Sequence, residues 1–76
     1  MIRITSRNVD GTRVIHYWNS AEKMLADWNS DDPSMGDDEV LLVVEDGHTV
    51  YSSLGTKPKG YSDTLRTADV MSWYAP

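Results

Sequence analysis

The longest apolar run in the chain covers residues 39–54 and is interrupted by one Asp-Gly pair. β-Branched and aromatic residues lie on both sides of Asp46-Gly47, as is typical of two strands joined by a two-residue turn. Such a turn needs a positive φ at both central positions, which Asp and Gly tolerate. The pattern predicts a β-hairpin. Because its strands are apolar on both faces, we expect each face to be covered, either within the monomer or by another chain.

Residues 1–18 alternate more cleanly between apolar and polar side chains and predict another hairpin, with its turn at Asp10-Gly11. A two-residue turn at this position places Arg3 opposite Trp18, within reach of a cation–π contact. The side chains expected on the inward face are Ile2, Ile4, Ser6, Ile15 and Tyr17. Those expected on the outward face are Arg3, Thr5, Arg7, Val14, His16 and Trp18.

After the first hairpin, apolar residues recur with the spacing of one helix face. This stripe consists of Ala21, Met24, Leu25 and Trp28. Asn19 or Ser20 is expected to cap the first turn, and Glu22 would complete a capping box with Asn19. Asp27 is expected to face solvent, and Asn29 to end the helix in the left-handed conformation.

The later hairpin is followed by a predicted loop, residues 55–62, and then by a helix over residues 64–74 that Ser62 or Asp63 would cap. The apolar face expected for this helix consists of Leu65, Ala68, Met71 and Ala75. The order ββαββα predicts one α+β domain over residues 1–76. In this fold two Asp-Gly hairpins form one mainly antiparallel four-stranded sheet, and both helices pack on one face.

The net charge of −5 is unevenly distributed over the 76 residues. Residues 1–18 carry three Arg and one Asp, whereas residues 19–46 carry one Lys and nine acidic residues. This balance argues against general nucleic-acid binding. The chain has no Cys, which excludes disulfide and thiolate-metal scaffolds. It shows neither a membrane-spanning run nor a signal peptide, so we expect a cytoplasmic protein without membrane contact.

The outward face of the first hairpin is the candidate binding surface, because Trp and Arg are enriched where proteins bind each other. The residues proposed for it are Arg3, Arg7, Val14, His16 and Trp18. A protein partner or a second copy of the chain is the expected ligand. An ordinary solvated sheet face explains the same pattern, and a platform for single-stranded nucleic acid ranks third.

A second candidate is the acidic loop between the first helix and the second hairpin. Its residues are Asp31, Asp32, Asp37, Asp38 and Glu39. A solvated loop, a Ca²⁺ site and a mimic of nucleic-acid phosphates are the three interpretations. The spacing does not match an EF-hand loop, so we assign no metal. Phosphate mimicry would make the protein an inhibitor of a basic protein site.

Groups suited to catalysis are few. His16 and His48 are the two histidines, and no nucleophile, phosphate-binding or metalloprotease motif occurs. We therefore assign no catalytic residues, no cofactor and no small-molecule substrate. The sequence favours a small acidic protein-interaction module that is not an enzyme, with the phosphate-mimic inhibitor as the alternative.

Overall fold

The computed structural model describes residues 1–53 and 64–76 and has the predicted order of elements. They are β1 (Ile2–Arg7), β2 (Arg13–Trp18), α1 (Ala21–Trp28), β3 (Glu39–Glu45), β4 (His48–Ser52) and α2 (Thr67–Tyr74). The predicted loop at 55–62 and the cap at Ser62 or Asp63 lie outside the described residues. Among the described helices, none is long and apolar enough to cross a membrane.

The four strands form one sheet in the order β2-β1-β3-β4, and all neighbours are antiparallel. Both helices contribute to a core on one side of this sheet, so the predicted α+β arrangement is confirmed. The buried side chains of the core are Ile2, Ile4, Met24, Met35, Val40, Val43, Leu65, Val70 and Met71. We call this side of the sheet the helix face. Burial of each large apolar side chain contributes roughly 1.5–3 kcal/mol.

The turn between β3 and β4 has the predicted conformation, because Asp46 and Gly47 have φ angles of 50° and 81°. The pairing beyond it departs from a regular ladder at two β-bulges. Val50 is the extra residue between β4 and β3, and Leu41 is the extra residue between β3 and β1. Each bulge shifts the alternation of side chains by one position. The two predicted faces of this hairpin are therefore mixed, which explains why both looked apolar in the sequence.

The turn between β1 and β2 is not the predicted two-residue turn. The Gly11 amide donates to the Asn8 carbonyl (2.9 Å), and the Asn8 amide donates to the Thr12 carbonyl (2.9 Å). These bonds enclose a three-residue loop in which Gly11 has a φ of 89° but Asp10 is not left-handed. Three-residue hairpin loops of this kind combine a type I turn with a left-handed glycine. The extra loop residue shifts the pairing of β2 by one position.

This shift places every side chain of β2 on the face opposite to the predicted one. Arg3 pairs with Tyr17, and Trp18 pairs with Ile2. The expected inward position of Tyr17 is therefore wrong, since its side chain is 58 % exposed, and Ile15 is 52 % exposed.

Helix α1 packs the predicted stripe against the core, and Ser20, one of the two predicted caps, is its N-cap. The Ser20 hydroxyl accepts from the amide of Lys23 (3.2 Å), which leaves Glu22 outside a capping box. Asn29 has a φ of −89°, so it does not end the helix in the left-handed conformation. Its side-chain amide donates instead to the Leu25 carbonyl (2.9 Å).

Helix α2 begins three residues later than predicted, and its buried face matches the predicted one only in part, at Met71. Asp69 accepts from the amide of Arg66 (2.9 Å), which fixes the first turn at Thr67. The residues that α2 buries are Thr67, Val70 and Met71. Ala68 is exposed, and Leu65 is buried ahead of the helix.

Replacement of Gly47 by Ala tests the left-handed turn between β3 and β4. No atom lies within 4 Å of an added Cβ, so backbone strain is the main cost. We expect Gly47→Ala to lower the free energy of unfolding by about 1 kcal/mol in urea titrations. Gly36→Ala is the control, because Gly36 is not left-handed and its nearest atom, Asp38 Oδ2, lies at 3.8 Å. Equal losses in the two variants would contradict the assigned turn.

Candidate interaction surface

The side of the sheet opposite the helices, which we call the open face, carries three rows of paired residues. Directly opposite residues in an antiparallel pair project to the same side. The rows are Tyr17, Arg3, Val44 and Thr49; then Ile15, Thr5, Leu42 and Ser52; then Arg13, Arg7 and Glu39. Both helices contribute their buried residues to the core on the other side. Within the described chain, the open face is thus covered by neither helix.

The open face combines exposed apolar side chains with a shallow hollow. Tyr17 and Ile15 lie beside each other on β2, and Val44 and Leu42 continue the two rows on β3. The hollow has a volume of about 280 Å³ and is lined by Met1, Arg3, Tyr17, Val44, Asp46 and Gly47. Large apolar side chains next to a hollow are typical of binding surfaces on small domains.

The charge on the open face is opposite in sign to the net charge of the protein. Arg3, Arg7 and Arg13 project from it. Arg7 Nη1 lies 3.7 Å from Glu39 Oε1. Among the described residues, neither Arg3 nor Arg13 has a carboxylate within 4.0 Å. The face therefore has two cationic side chains that no described carboxylate neutralises.

The structure separates the five residues that the sequence grouped on one binding surface. Arg3 and Arg7 lie on the open face, as predicted. Val14, His16 and Trp18 project to the helix face, because they pair with Ser6, Ile4 and Ile2. Arg13, Ile15 and Tyr17 occupy their places. The predicted contact between Arg3 and Trp18 does not form, since the two side chains lie on opposite sides of the sheet.

Asp27 holds Trp18 and the following loop together, instead of facing solvent as predicted. Trp18 Nε1 donates to Asp27 Oδ2 (2.8 Å), and the Ser34 amide donates to Asp27 Oδ1 (3.0 Å). The Ser34 hydroxyl also donates to Asp27 Oδ2. The bond from the Ser34 hydroxyl is the largest cause of a lowered Asp27 pKa, followed by the bond from Trp18. Three donors stabilise the ionised carboxylate.

His16 completes this cluster without forming a nucleophilic triad. Its Nε2 lies 2.9 Å from the Ser34 carbonyl oxygen, and its ring stacks on Trp18 with centroids 5.8 Å apart. Because a carbonyl oxygen accepts, Nε2 carries the proton. In a catalytic triad the serine hydroxyl donates to the histidine. Here it donates to Asp27, so the cluster joins β2, α1 and the loop but does not activate Ser34.

Three of the five residues in the acidic loop are bound within the fold. Asp37 Oδ1 accepts from the amide of Ala68 (3.0 Å), in the first turn of α2, and Asp37 Oδ2 lies 3.4 Å from Arg66 Nε. The Asp38 carbonyl accepts from the Thr67 amide (3.0 Å), and Glu39 pairs with Arg7. This part of the loop is therefore an N-terminal cap for α2.

In the remainder of the acidic loop, one residue, Met35, is buried and the others are exposed. Met35 is 6 % exposed and belongs to the core. Asp31 and Asp32 are exposed. The described residues include no group of three or more Asp, Glu or His side chains placed to hold a metal ion.

The cluster around Asp27 predicts a dependence of stability on pH. A lowered carboxyl pKa contributes stability above the unfolded value of about 4 and loses it as the pH falls through the folded pKa. We expect Asp27→Asn to cost about 1 kcal/mol at neutral pH, since Asp27 is partly exposed. The difference from wild type should shrink below pH 4 in urea titrations followed by Trp fluorescence. Asp31→Asn is the control, and an equal effect there would contradict the assignment.

The cap on α2 predicts unequal roles for two aspartates of the same loop. Asp37→Asn loses the charge that faces the first turn of α2 and Arg66, so we expect unfolding to require about 1 kcal/mol less. Asp32→Asn should change stability by less than about 0.5 kcal/mol. Thermal unfolding followed by circular dichroism measures both. Similar melting temperatures for the two variants would argue against the cap.

Comparisons with known proteins give no identification of the chain. It matches no family model, no curated protein and no solved structure.

Proposed function

We propose that this protein is a binding module that holds a protein partner against its open face. The observation that carries the proposal is the exposed Tyr17 ring, which is flanked across the strands by Arg3 and stands two residues from Ile15. Aromatic and Arg side chains supply much of the binding energy at protein interfaces. A solvated sheet face has no need of two large exposed apolar groups beside cations that form no ion pair with the described carboxylates.

The chemistry of the open face defines the partner. Arg3 and Arg13 offer planar guanidinium groups that bind carboxylates through paired hydrogen bonds. The hollow beside Tyr17 and Val44 can take an apolar side chain. The partner is therefore a protein surface that presents an apolar residue next to Asp or Glu side chains.

A second copy of the chain is a poor partner for this face. Two open faces in contact would bring the three Arg side chains of each copy together, with Glu39 as the opposing charge in the three rows. Like charges across an interface cost several kcal/mol. Face-to-face self-association is accordingly not the form that we propose.

Single-stranded nucleic acid is the second candidate, because Arg3, Arg7 and Arg13 lie on one face with an exposed ring. Stacking platforms use successive aromatic rings, one for each base. Trp18 and His16, which the sequence suggested for stacking, project to the helix face and contact each other. Tyr17 is thus left as the exposed ring of the described rows, and a protein partner is favoured.

The phosphate-mimic hypothesis for the acidic loop is left with three of its five carboxylates, of which Asp31 and Asp32 are exposed. A mimic needs carboxylates that are free to enter a basic groove. Asp37 contacts Arg66 and α2, and Glu39 contacts Arg7. Binding without a chemical reaction also fits the cluster around Asp27, in which the Ser34 hydroxyl bonds to a carboxylate and not to His16.

The proposal is tested by affinity capture from the source cell with matched charge variants. We expect Arg3→Glu and Tyr17→Ser each to lower, at least tenfold, the captured amount of the proteins that bind the wild type. Lys23→Glu makes the same charge change at an exposed position on α1 and should leave capture unchanged. Trp73→Ser removes an exposed ring from α2, on the other side of the sheet, and serves as the aromatic control.

The outcomes separate the two candidates. The protein proposal is overturned if the same proteins are captured by the wild type and both open-face variants. A labelled single-stranded oligonucleotide provides the second arm of the experiment. In one outcome the oligonucleotide binds the wild type and not Arg3→Glu, while no captured protein depends on Arg3 or Tyr17. That result would replace the protein proposal with nucleic-acid recognition.

A further inference from the structure

Strand β2 forms one edge of the sheet, and within the described residues Arg13, at its first position, is its one charged side chain that could protect this edge. It contains six residues, its pairing with β1 has no bulge, and it has no Pro or Lys. Its exposed residues alternate along the strand and are Arg13, Ile15 and Tyr17. Edges with so little protection are templates for pairing with another strand.

The hydrogen-bond pattern shows which backbone groups β2 offers. The bond from the Asn8 amide to the Thr12 carbonyl fixes the alternation of the β1–β2 ladder. Residues 14, 16 and 18 therefore bond to β1, and residues 13, 15 and 17 direct their N–H and C=O groups outward. The Asp46 amide donates to the Met1 carbonyl, so the odd-numbered residues of β1 bond to β3 and the even-numbered residues bond to β2. This second bond independently gives the same alternation.

We propose that β2 pairs antiparallel with β2 of a second copy, with the two-fold axis at Ile15. Arg13 then lies opposite the partner's Tyr17, and Ile15 lies opposite the partner's Ile15. All of these residues have outward backbone groups, so each pair exchanges two hydrogen bonds and the interface gains about six. The two sheets join into one sheet with all helices on the same side.

Complementarity of the side chains selects this register. Arg13 meets the partner's Tyr17 on the open face, which allows a cation–π contact at both ends of the interface. The two apolar Ile15 side chains meet at the axis, and Arg13 does not meet its own copy. If the register shifted by two residues in one direction, Arg13 would lie opposite the partner's Ile15. If it shifted by two in the other direction, Arg13 would lie opposite the partner's Asn19, outside β2.

Edge pairing engages Arg13 and Tyr17 at the margin of each open face, leaves Arg3 and Val44 uncovered, and makes the two open faces continuous. It avoids the contact between Arg side chains that face-to-face association requires. The inference therefore does not depend on which molecule binds the open face. A small domain also gains stability from burial of its edge, because 76 residues enclose only a modest core.

Disulfide trapping tests the proposed register, since the chain has no Cys of its own. Residues in a hydrogen-bonded antiparallel pair have Cα atoms about 5.5 Å apart, within the range that a disulfide spans. Ile15→Cys should therefore form a covalent dimer under mild oxidation. Tyr17→Cys places the two thiols about 13 Å apart and should form it at least tenfold more slowly. Equal rates for the two variants would overturn the register.

Sedimentation equilibrium tests the association without covalent trapping. The wild type should show a concentration-dependent dimer, and Ile15→Lys should raise its dissociation constant at least tenfold by placing like charges at the axis. Circular dichroism serves to check that this replacement at an exposed position preserves the fold. A wild type that remains monomeric at high micromolar concentration overturns the proposal. Arg3→Glu, in a central strand, should retain the dimer, which separates failure of edge pairing from failure of partner binding.

Discussion

The antiparallel ladder between β1 and β3 is the constraint on which the rest of the fold depends. These strands form the centre of the sheet, and each buries one side under the helices. Their register assigns Ile4 and Val43 to the core, and it assigns Arg3 and Val44 to the opposite side. The central part of the open face follows from that pairing, because a slip by one residue would exchange the two sets.

Two identical dipeptides show how far the fold could be predicted. Asp46-Gly47 and Asp10-Gly11 both indicated hairpins, and both hairpins exist, so element order and fold class followed from the sequence. The two turns differ in whether the Asp is left-handed, and the dipeptide alone does not determine this. Asn8 closes the longer loop through its carbonyl and amide groups, which are present in almost every residue. The register of β2 could therefore not be derived from composition.

Only part of the candidate surface could be predicted, because the register of β2 depends on the turn. Arg3 and Arg7 depend on the register of β1, which the burial of Ile2 and Ile4 determines. Tyr17 and Ile15 resemble core residues in the sequence, and their exposure follows from the turn. The roles of Asp27 and Asp37 escaped prediction because their partners, Ser34 and the first turn of α2, are brought close by tertiary packing.

The core is rich in methionine, which makes it sensitive to oxidation. Met24, Met35 and Met71 are all buried in it, each from a different part of the chain. Thioether side chains are flexible, so such a core adapts to changes in shape more readily than one built of branched residues. Oxidation would convert each to a polar sulfoxide that the core cannot accommodate without disruption. The same burial shields the sulfur atoms, and the rate at which peroxide modifies them reports how often this small domain opens.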